Sequence, residues 1–292
     1  MPELPEVEIL VRYLKPLLES KVVRSVEVRR ERTLATTTRR QLSMALRGAR
    51  FVGVERRGKY LLFSLEQPRS LKPITLVGHL GMTGRMYLLP ARAPLPKHAA
   101  VVLHLSEEQF VFEDTRYFGR LTLDQSSVKK LGVEPLDPAF TATMLAQALN
   151  RSIQPIKVNI YASEALFRAR ISPIRPSRKL TGEEIHRLWT AIRETLAEAI
   201  KGGGTVALNF AGISETDGLY YFGRAPGETS SYEERLQVYD RMGLPCIRCN
   251  VPLKRLVQAG RSTFFCPNCQ RGRHPKKAAI QSSRRSRKPA TT

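Results

Sequence analysis

The chain has 292 residues, 42% of them apolar, and 48 Lys and Arg against 26 Asp and Glu give a net charge of +22. That length suits roughly two domains with an ordinary core, and the charge points to a polyanionic partner, a bias that a ribosomal or membrane-surface protein would share. No apolar run approaches the ~20 residues of a membrane helix and no charged-then-apolar leader opens the chain, so a soluble, cytoplasmic protein is expected.

In the opening MPELPEVEILVRYLKPLLES, Val7, Leu10, Val11, Leu14, Leu17 and Leu18 recur at helical spacing, which predicts a helix beginning almost at the terminus. Its first residues admit two readings. Proline at the start followed by Glu3, Glu6 and Glu8 is good helix-start chemistry. Alternatively, removal of the initiator Met leaves Pro2 a free secondary amine. An α-amino group titrates near ~8 against ~10.4 for lysine, so it is nucleophilic at neutral pH and could attack a sugar C1′, with Glu3 beside it to move protons.

From about 21 to 123 come eight β-rich runs, VVRSVEV, RFVGV, KYLLFSL, ITLVGHL, RMYLL, AAVVLHL, QFVF and RLTL, whose short spacing predicts an antiparallel sandwich or barrel. After LGVEPLDP the pattern turns helical in TATMLAQALN, NIYASEALFRA and TGEEIHRLWTAIRETLAEAIKGGG. The last has Thr181 as N-cap, Glu184 at the capping-box position and Gly202 as terminator. A Gly, Ser and Tyr-rich segment over 210–232 reads as a functional loop. The end, RGRHPKKAAIQSSRRSRKPATT, has eight basic residues and no acidic one and is expected to be disordered and attracted to DNA.

All four cysteines lie in the pattern Cys246-x2-Cys249-x16-Cys266-x2-Cys269. Each Cys-x-x-Cys turn offers two thiolates to one ion, and four sulfurs with no vacant position mean one structural Zn2+ rather than disulfides. Arg261, between the pairs on the expected hairpin, is suited to gripping a phosphate. The architecture expected is α+β. It comprises an N-terminal helix plus antiparallel β-sandwich over 1–135, a helical domain over 136–235, a zinc β-hairpin over 236–270 and a basic tail over 271–292.

MPELPEVE, RRGKYLLF, GHLGMTGRM, PLPKHAAV, FEDTRYFGRL, LGVEPL, NIYASEALF, ERLQVYDR and RSTFFCPNCQ, in that order over about residues 2–270, resemble the bacterial formamidopyrimidine-DNA glycosylases. The resemblance implies a monomeric, nucleoid-associated bifunctional glycosylase and abasic-site lyase of base excision repair. Its substrate would be double-stranded DNA carrying 8-oxoguanine or formamidopyrimidines, its intermediate an imine on Pro2, and its later steps β- and δ-elimination. It makes Pro2 the nucleophile, Glu3 the proton donor that opens the deoxyribose, Lys59 the lysine at the damaged site, and Arg261 the zinc-hairpin arginine of phosphate binding and elimination. Met82, Arg116 and Phe118 match the side chains that fill the gap left by a flipped base, a step that otherwise loses a few kcal/mol of stacking. His98, Arg151 and Asn159 match DNA-contacting positions. Without the family, Lys59 would read as a solvated strand lysine, and Met82 and Phe118 as core residues.

The chain departs from the pattern after IQPIK at 153–157, where about a dozen residues are missing before NIYASE at 159–164. These would be the first helix and turn of the helix-two-turn-helix that clamps the DNA backbone, so the helical domain is expected to be truncated. Thr115 and Tyr117 stand where many relatives have Pro and a second Arg, which removes one cation near the wedge. KHAA lacks a second histidine, and the 210–232 loop is longer than usual. Two alternatives follow: an endonuclease VIII-type glycosylase for oxidised pyrimidines, against which Leu4 speaks, and a catalytically impaired zinc-containing DNA-binding protein.

Overall fold

The computed structural model describes residues 2–68, 72–151, 154, 156, 159–203, 235–258 and 260–271. They fall into two compact units, Met1–Leu145 with Trp189–Gln237, and Ala146–Leu188 with Val238–Thr292. No described helix is long and apolar enough to cross a membrane.

The first unit opens with α1 (Leu4–Leu18), whose Val7, Leu10, Val11, Leu14 and Leu18 are buried as the spacing requires. It packs on β2 (Arg50–Arg57) and β3 (Tyr60–Glu66). Every β-rich run gives a strand. The others are β1 (Ser25–Val28), β4 (Ile74–His79), β5 (Gly84–Pro90), β6 (Ala99–His104), β7 (Glu108–Asp114) and β8 (Arg120–Thr122). They form two antiparallel four-stranded sheets, ordered β1-β6-β7-β5 and β2-β3-β4-β8. Phe51 and Phe63 from one sheet meet Phe110 from the other edge to face, with centroids 5.4–6.4 Å apart, so the sandwich is sealed by aromatic contact between its layers. β6 and β7 are buried almost continuously because their outer face carries a second small core of Tyr87, Ala99, Val102 and Val111.

Sequence periodicity misses α2 (Arg39–Leu46), in which only Leu42 and Leu46 are buried. Its start is set by Thr38, whose hydroxyl accepts from Gln41 N while the Gln41 side chain accepts from Thr38 N. A 3-10 turn over Glu31–Leu34 and the short α3 (Ser126–Lys129) were likewise unmarked by any pattern.

The expected helices are α4 (Ala142–Asn150), α5 (Ile160–Arg168) and α6 (Gly182–Lys201). Thr181 and Glu184 make the reciprocal capping bonds, at 2.8 and 3.3 Å. At the other end of α6 the left-handed residue is Gly203, at φ +84°, one position beyond the expected Gly202. Nine positions, 151–159, separate α4 from α5. This connection is fastened by buried Ser177, whose hydroxyl donates to Leu149 O at 3.1 Å and Gln154 O at 3.0 Å. The second unit closes with an antiparallel hairpin of β9 (Lys254–Gln258) and β10 (Arg261–Phe265). The expected 210–232 loop and the basic tail after Arg271 lie outside the described residues.

Candidate active site and zinc module

The helix-start reading of the N-terminus holds in the fold. Glu3 precedes the first turn of α1, and its backbone N–H donates to Glu6 Oε2 at 2.8 Å, which is ordinary helix-start chemistry. Yet the Glu3 carboxylate is only 4% exposed and forms an ion pair with Lys59 Nζ. Pro2, also buried, is one residue away. Lys59 follows Gly58, whose φ of +59° lets the β2–β3 turn close tightly enough to bring the lysine over the start of α1.

That turn is clamped from behind. Arg56, with a side chain 8% exposed, donates to Glu8 of α1 at 2.8 Å and to Glu134 at 2.6 Å. Glu134 also accepts from Arg57 at 2.9 Å and from Gly58 N at 2.5 Å, and Arg57 reaches Gly132 O. Burial pushes the Glu8 and Glu134 carboxyls up, but their bonds to Arg56, Arg12, Arg57 and Gly58 outweigh it and hold both below the ordinary value. The charged forms are therefore favoured, and the lysine turn is locked to α1 and to the LGVEPL segment. His79, opposite Tyr60 in the β3–β4 register, stacks on it at 4.7 Å and accepts from Gly81 N at 3.1 Å through Nδ1. Burial, then Lys59 and Arg120, lower its pKa and favour a neutral imidazole beside the cations. The sequence reading gave Glu8 only as helix-start chemistry and missed Arg56, Glu134 and His79. Arg56, Glu134 and His79 lie in motifs it quoted, RRGKYLLF, LGVEPL and GHLGM, but only folding shows which side chains meet.

Two turns carry the remaining residues of this unit. A Cβ on Gly81 would come within 2.6 Å of Gly119 N, and one on Gly119 within 2.8 Å of His79 O, so glycine at both positions lets the β4–β5 and β7–β8 turns touch backbone to backbone. This brings Met82 and the Arg116–Phe118 segment together. Buried Asp114 organises the second turn, accepting from Arg116 N at 3.1 Å, Gly119 N at 2.7 Å and Thr83 Oγ1 at 2.6 Å. Met82 and Phe118 are 41% and 46% exposed, so they are not the core residues that strand patterning alone suggests. Arg116 lies over the Phe118 ring at 5.1 Å, and half-buried His98 faces Tyr117 Oη through Nδ1 at 3.3 Å.

In the second unit the four cysteine sulfurs lie within 4.8 Å of one another. Cys246 and Cys269 are 3.9 Å apart and Cys249 and Cys266 3.5 Å, close to the about 3.8 Å edge of a tetrahedron with Zn–S bonds of about 2.3 Å. A hydrogen bond from Asn268 leads the lowering of the Cys249 thiol to about 6, whereas burial and its neighbouring thiols push Cys269 up to about 12. Four such sulfurs cannot all ionise without a cation between them. The cluster fits one structural zinc, which would be held by Cys246, Cys249, Cys266 and Cys269. Arg261 is exposed at the start of β10, opposite Gln258. Asn159 is the N-cap of α5, its Oδ1 accepting from Ala162 N at 3.0 Å, and Arg151 is exposed just after α4. Glu164 of α5, unmarked in the sequence reading, accepts from Val238 N at 3.0 Å and Tyr239 N at 2.9 Å. Arg248 returns to Phe167 O at 3.0 Å, so α5 and the zinc module are joined from both sides.

Three family models match in sequence: the formamidopyrimidine-DNA glycosylase N-terminal domain over 1–121, its H2TH domain over 131–209, and the zinc finger found in FPG and IleRS over 243–272. The formamidopyrimidine-DNA glycosylase of Thermus thermophilus is 41% identical, the match covering 92% of this chain and 98% of that protein. That of Desulfitobacterium hafniense is 39% identical over 92% and 100%. Among solved structures, the Lactococcus lactis Fpg in complex with a THF-DNA and an inhibitor superposes with a TM-score of 0.79 at 31% identity, covering 93% of this chain and all of that one. Thermus thermophilus MutM gives 0.74 at 38% identity, over 92% and 98%. By these matches, and with a paired N-terminal carboxylate and lysine in one unit and a four-sulfur module in the other, the chain belongs to the formamidopyrimidine-DNA glycosylase family, glycosylase/lyases of base excision repair that act on oxidised purines.

Proposed function

We propose that this chain removes 8-oxoguanine and formamidopyrimidines from duplex DNA through an imine on Pro2 and then cleaves the abasic site by β- and δ-elimination. The observation that carries the reading is the buried Glu3 carboxylate paired with Lys59 next to Pro2. In the first step the Pro2 nitrogen, freed by loss of Met1, bonds to C1′ and passes its proton to the Glu3 carboxylate, while the bond from C1′ to the base nitrogen breaks and the departing base takes a proton from water. Glu3 gives a proton to the ring oxygen, which opens the sugar to the iminium, and Lys59 stabilises the charge that moves through the carboxylate. Loss of a C2′ proton then expels the 3′ phosphate and a second elimination the 5′ phosphate, with Arg261 gripping phosphate oxygens. Water finally returns Pro2 to the free amine.

The DNA partner is supported by the Lactococcus lactis relative, solved with THF-DNA, and by the net charge of +22. Met82, Arg116 and Phe118 would fill the gap behind a flipped base, with His98, Arg151 and Asn159 on the backbone, the enzyme working as a monomer at the nucleoid. A second reading, a DNA-binding protein without turnover, is favoured by the nine-position connection between α4 and α5.

Borohydride trapping on an 8-oxoguanine duplex separates the two. Wild-type protein is expected to give a covalent adduct that Pro2→Gly does not give. Folded, zinc-loaded wild type that yields no adduct would sink the glycosylase reading, and preferential trapping on thymine glycol would move the substrate to oxidised pyrimidines.

A further inference from the structure

A cleft of about 370 Å³ opens beside the β7–β8 turn, lined by Arg29, Arg30, Glu31, Arg32, Arg116 and Tyr117. Four guanidinium groups therefore surround it against one carboxylate. Glu31 is engaged by Arg39 at 3.4 Å and Arg29 by Glu27 at 3.8 Å. Arg30, Arg32 and Arg116 have no carboxylate partner among the described residues. Cations gathered around an open cleft repel one another unless an anion sits among them.

The arrangement is built rather than accidental. Arg30 lies over the Tyr117 ring at 5.2 Å, just as Arg116 lies over Phe118. A guanidinium engaged by a ring face keeps its in-plane N–H groups for other acceptors, and that fork matches a phosphate. Each partner is fixed at its base. Arg29 N and Arg30 N donate to Ala100 O of β6 at 2.9 and 3.1 Å. Tyr117 is held at φ +53°, between the two backbone amides that Asp114 binds, and its hydroxyl meets His98. The sequence reading saw at Tyr117 only the loss of a cation. The fold returns one to that place from the segment after β1.

We infer that this cleft is a phosphate site for the backbone of duplex DNA, in which Arg30 and Arg32 clasp one phosphodiester and Tyr117 is the platform that aims Arg30. The inference rests on the DNA-glycosylase reading but adds a contact outside the residues assigned to it.

The test is the salt dependence of binding to a tetrahydrofuran-containing duplex. The logarithm of the binding constant falls with the logarithm of salt by about 0.9 per neutralised phosphate. Arg30→Ala with Arg32→Ala is expected to make that slope shallower by about one such step and to weaken binding about tenfold at low salt. Tyr117→Phe should keep both quantities, and Tyr117→Leu should weaken binding severalfold. Arg47→Ala with Arg92→Ala removes the same charge from exposed positions elsewhere on this unit and should leave the slope unchanged. An unaltered slope in the cleft variant, or an equal change in the Arg47 and Arg92 control, overturns the phosphate site. Wild-type imine trapping on an 8-oxoguanine duplex reports separately on the parent reading. Wild type that binds no duplex would overturn both.

Discussion

Lys59 lies in the turn of one antiparallel hairpin, β2–β3, and Arg261 opens the second strand of another, β9–β10, but the two hairpins are secured by opposite means. The first is half of a four-stranded sheet over an aromatic core, and its turn is further clamped through Arg56 to Glu8 and Glu134. The second is a sheet of two strands only, flanked by the cysteine pairs. Two strands alone are marginal in water. Where the sandwich supplies a large core, ion pairs suffice to set a lysine; the second hairpin has only the smaller cluster of Phe167, Val238, Leu253 and Phe264 around its cysteines, and a metal completes the hold on its arginine.

Removing the metal should give the largest effect and the sharpest contrast. Structural zinc sites contribute roughly 10–16 kcal/mol, more than a small module has to spare. After chelation, amide hydrogen exchange across Lys254–Phe265 is expected to lose its protection while Arg50–Glu66 keeps it. Loss of protection in both hairpins would show that the first also depends on zinc and would remove the contrast.

Next in size is the clamp. Arg56→Ala leaves Glu8 and Glu134 without their shared cation, and breaking a buried pair from one side costs about 3–5 kcal/mol, which urea denaturation would read. The pH dependence follows from the two lowered carboxyls. Their folded values lie below the ordinary 4.5, so the stabilisation is fully present above that pH and is lost as pH falls through the folded values. Wild type should therefore lose stability steeply below 4.5, and Arg56→Ala should show a flatter dependence there. Parallel profiles would mean that other acids govern acid unfolding.

The same contrast explains what could be read in advance. The eight strands were legible because each is a short apolar run between turn residues, and the zinc module because four like ligands at fixed spacing have one common use. α2 was illegible because two buried leucines make no period. The clamp was illegible for another reason: Arg56 and Glu134 are 78 positions apart, and nothing in either motif names the other. Lys59 could be singled out by resemblance, whereas its pairing with Glu3 is a property of the folded sheet. Asp114 lies in the quoted FEDTRYFGRL, yet the resemblance singles out Arg116 and Phe118, which sit in the turn that Asp114 organises through Arg116 N and Gly119 N.

The smallest effect concerns Asn159, to which resemblance gives a DNA contact and geometry a cap. The two roles respond differently to substitution. Asn159→Ala removes the acceptor for Ala162 N and should cost about 1 kcal/mol. Asn159→Asp keeps an acceptor there and sets a negative charge at the helix N-terminus, which is neutral or stabilising, but the same charge opposes a phosphate. The expected outcome is a melting temperature equal to wild type or higher, with duplex affinity at least tenfold weaker. An Asp variant that keeps both stability and affinity would leave Asn159 a cap alone. One that loses affinity at undiminished stability would show that the end of the shortened connection still meets the DNA backbone, and that α5 is held in position for it by the same side chain.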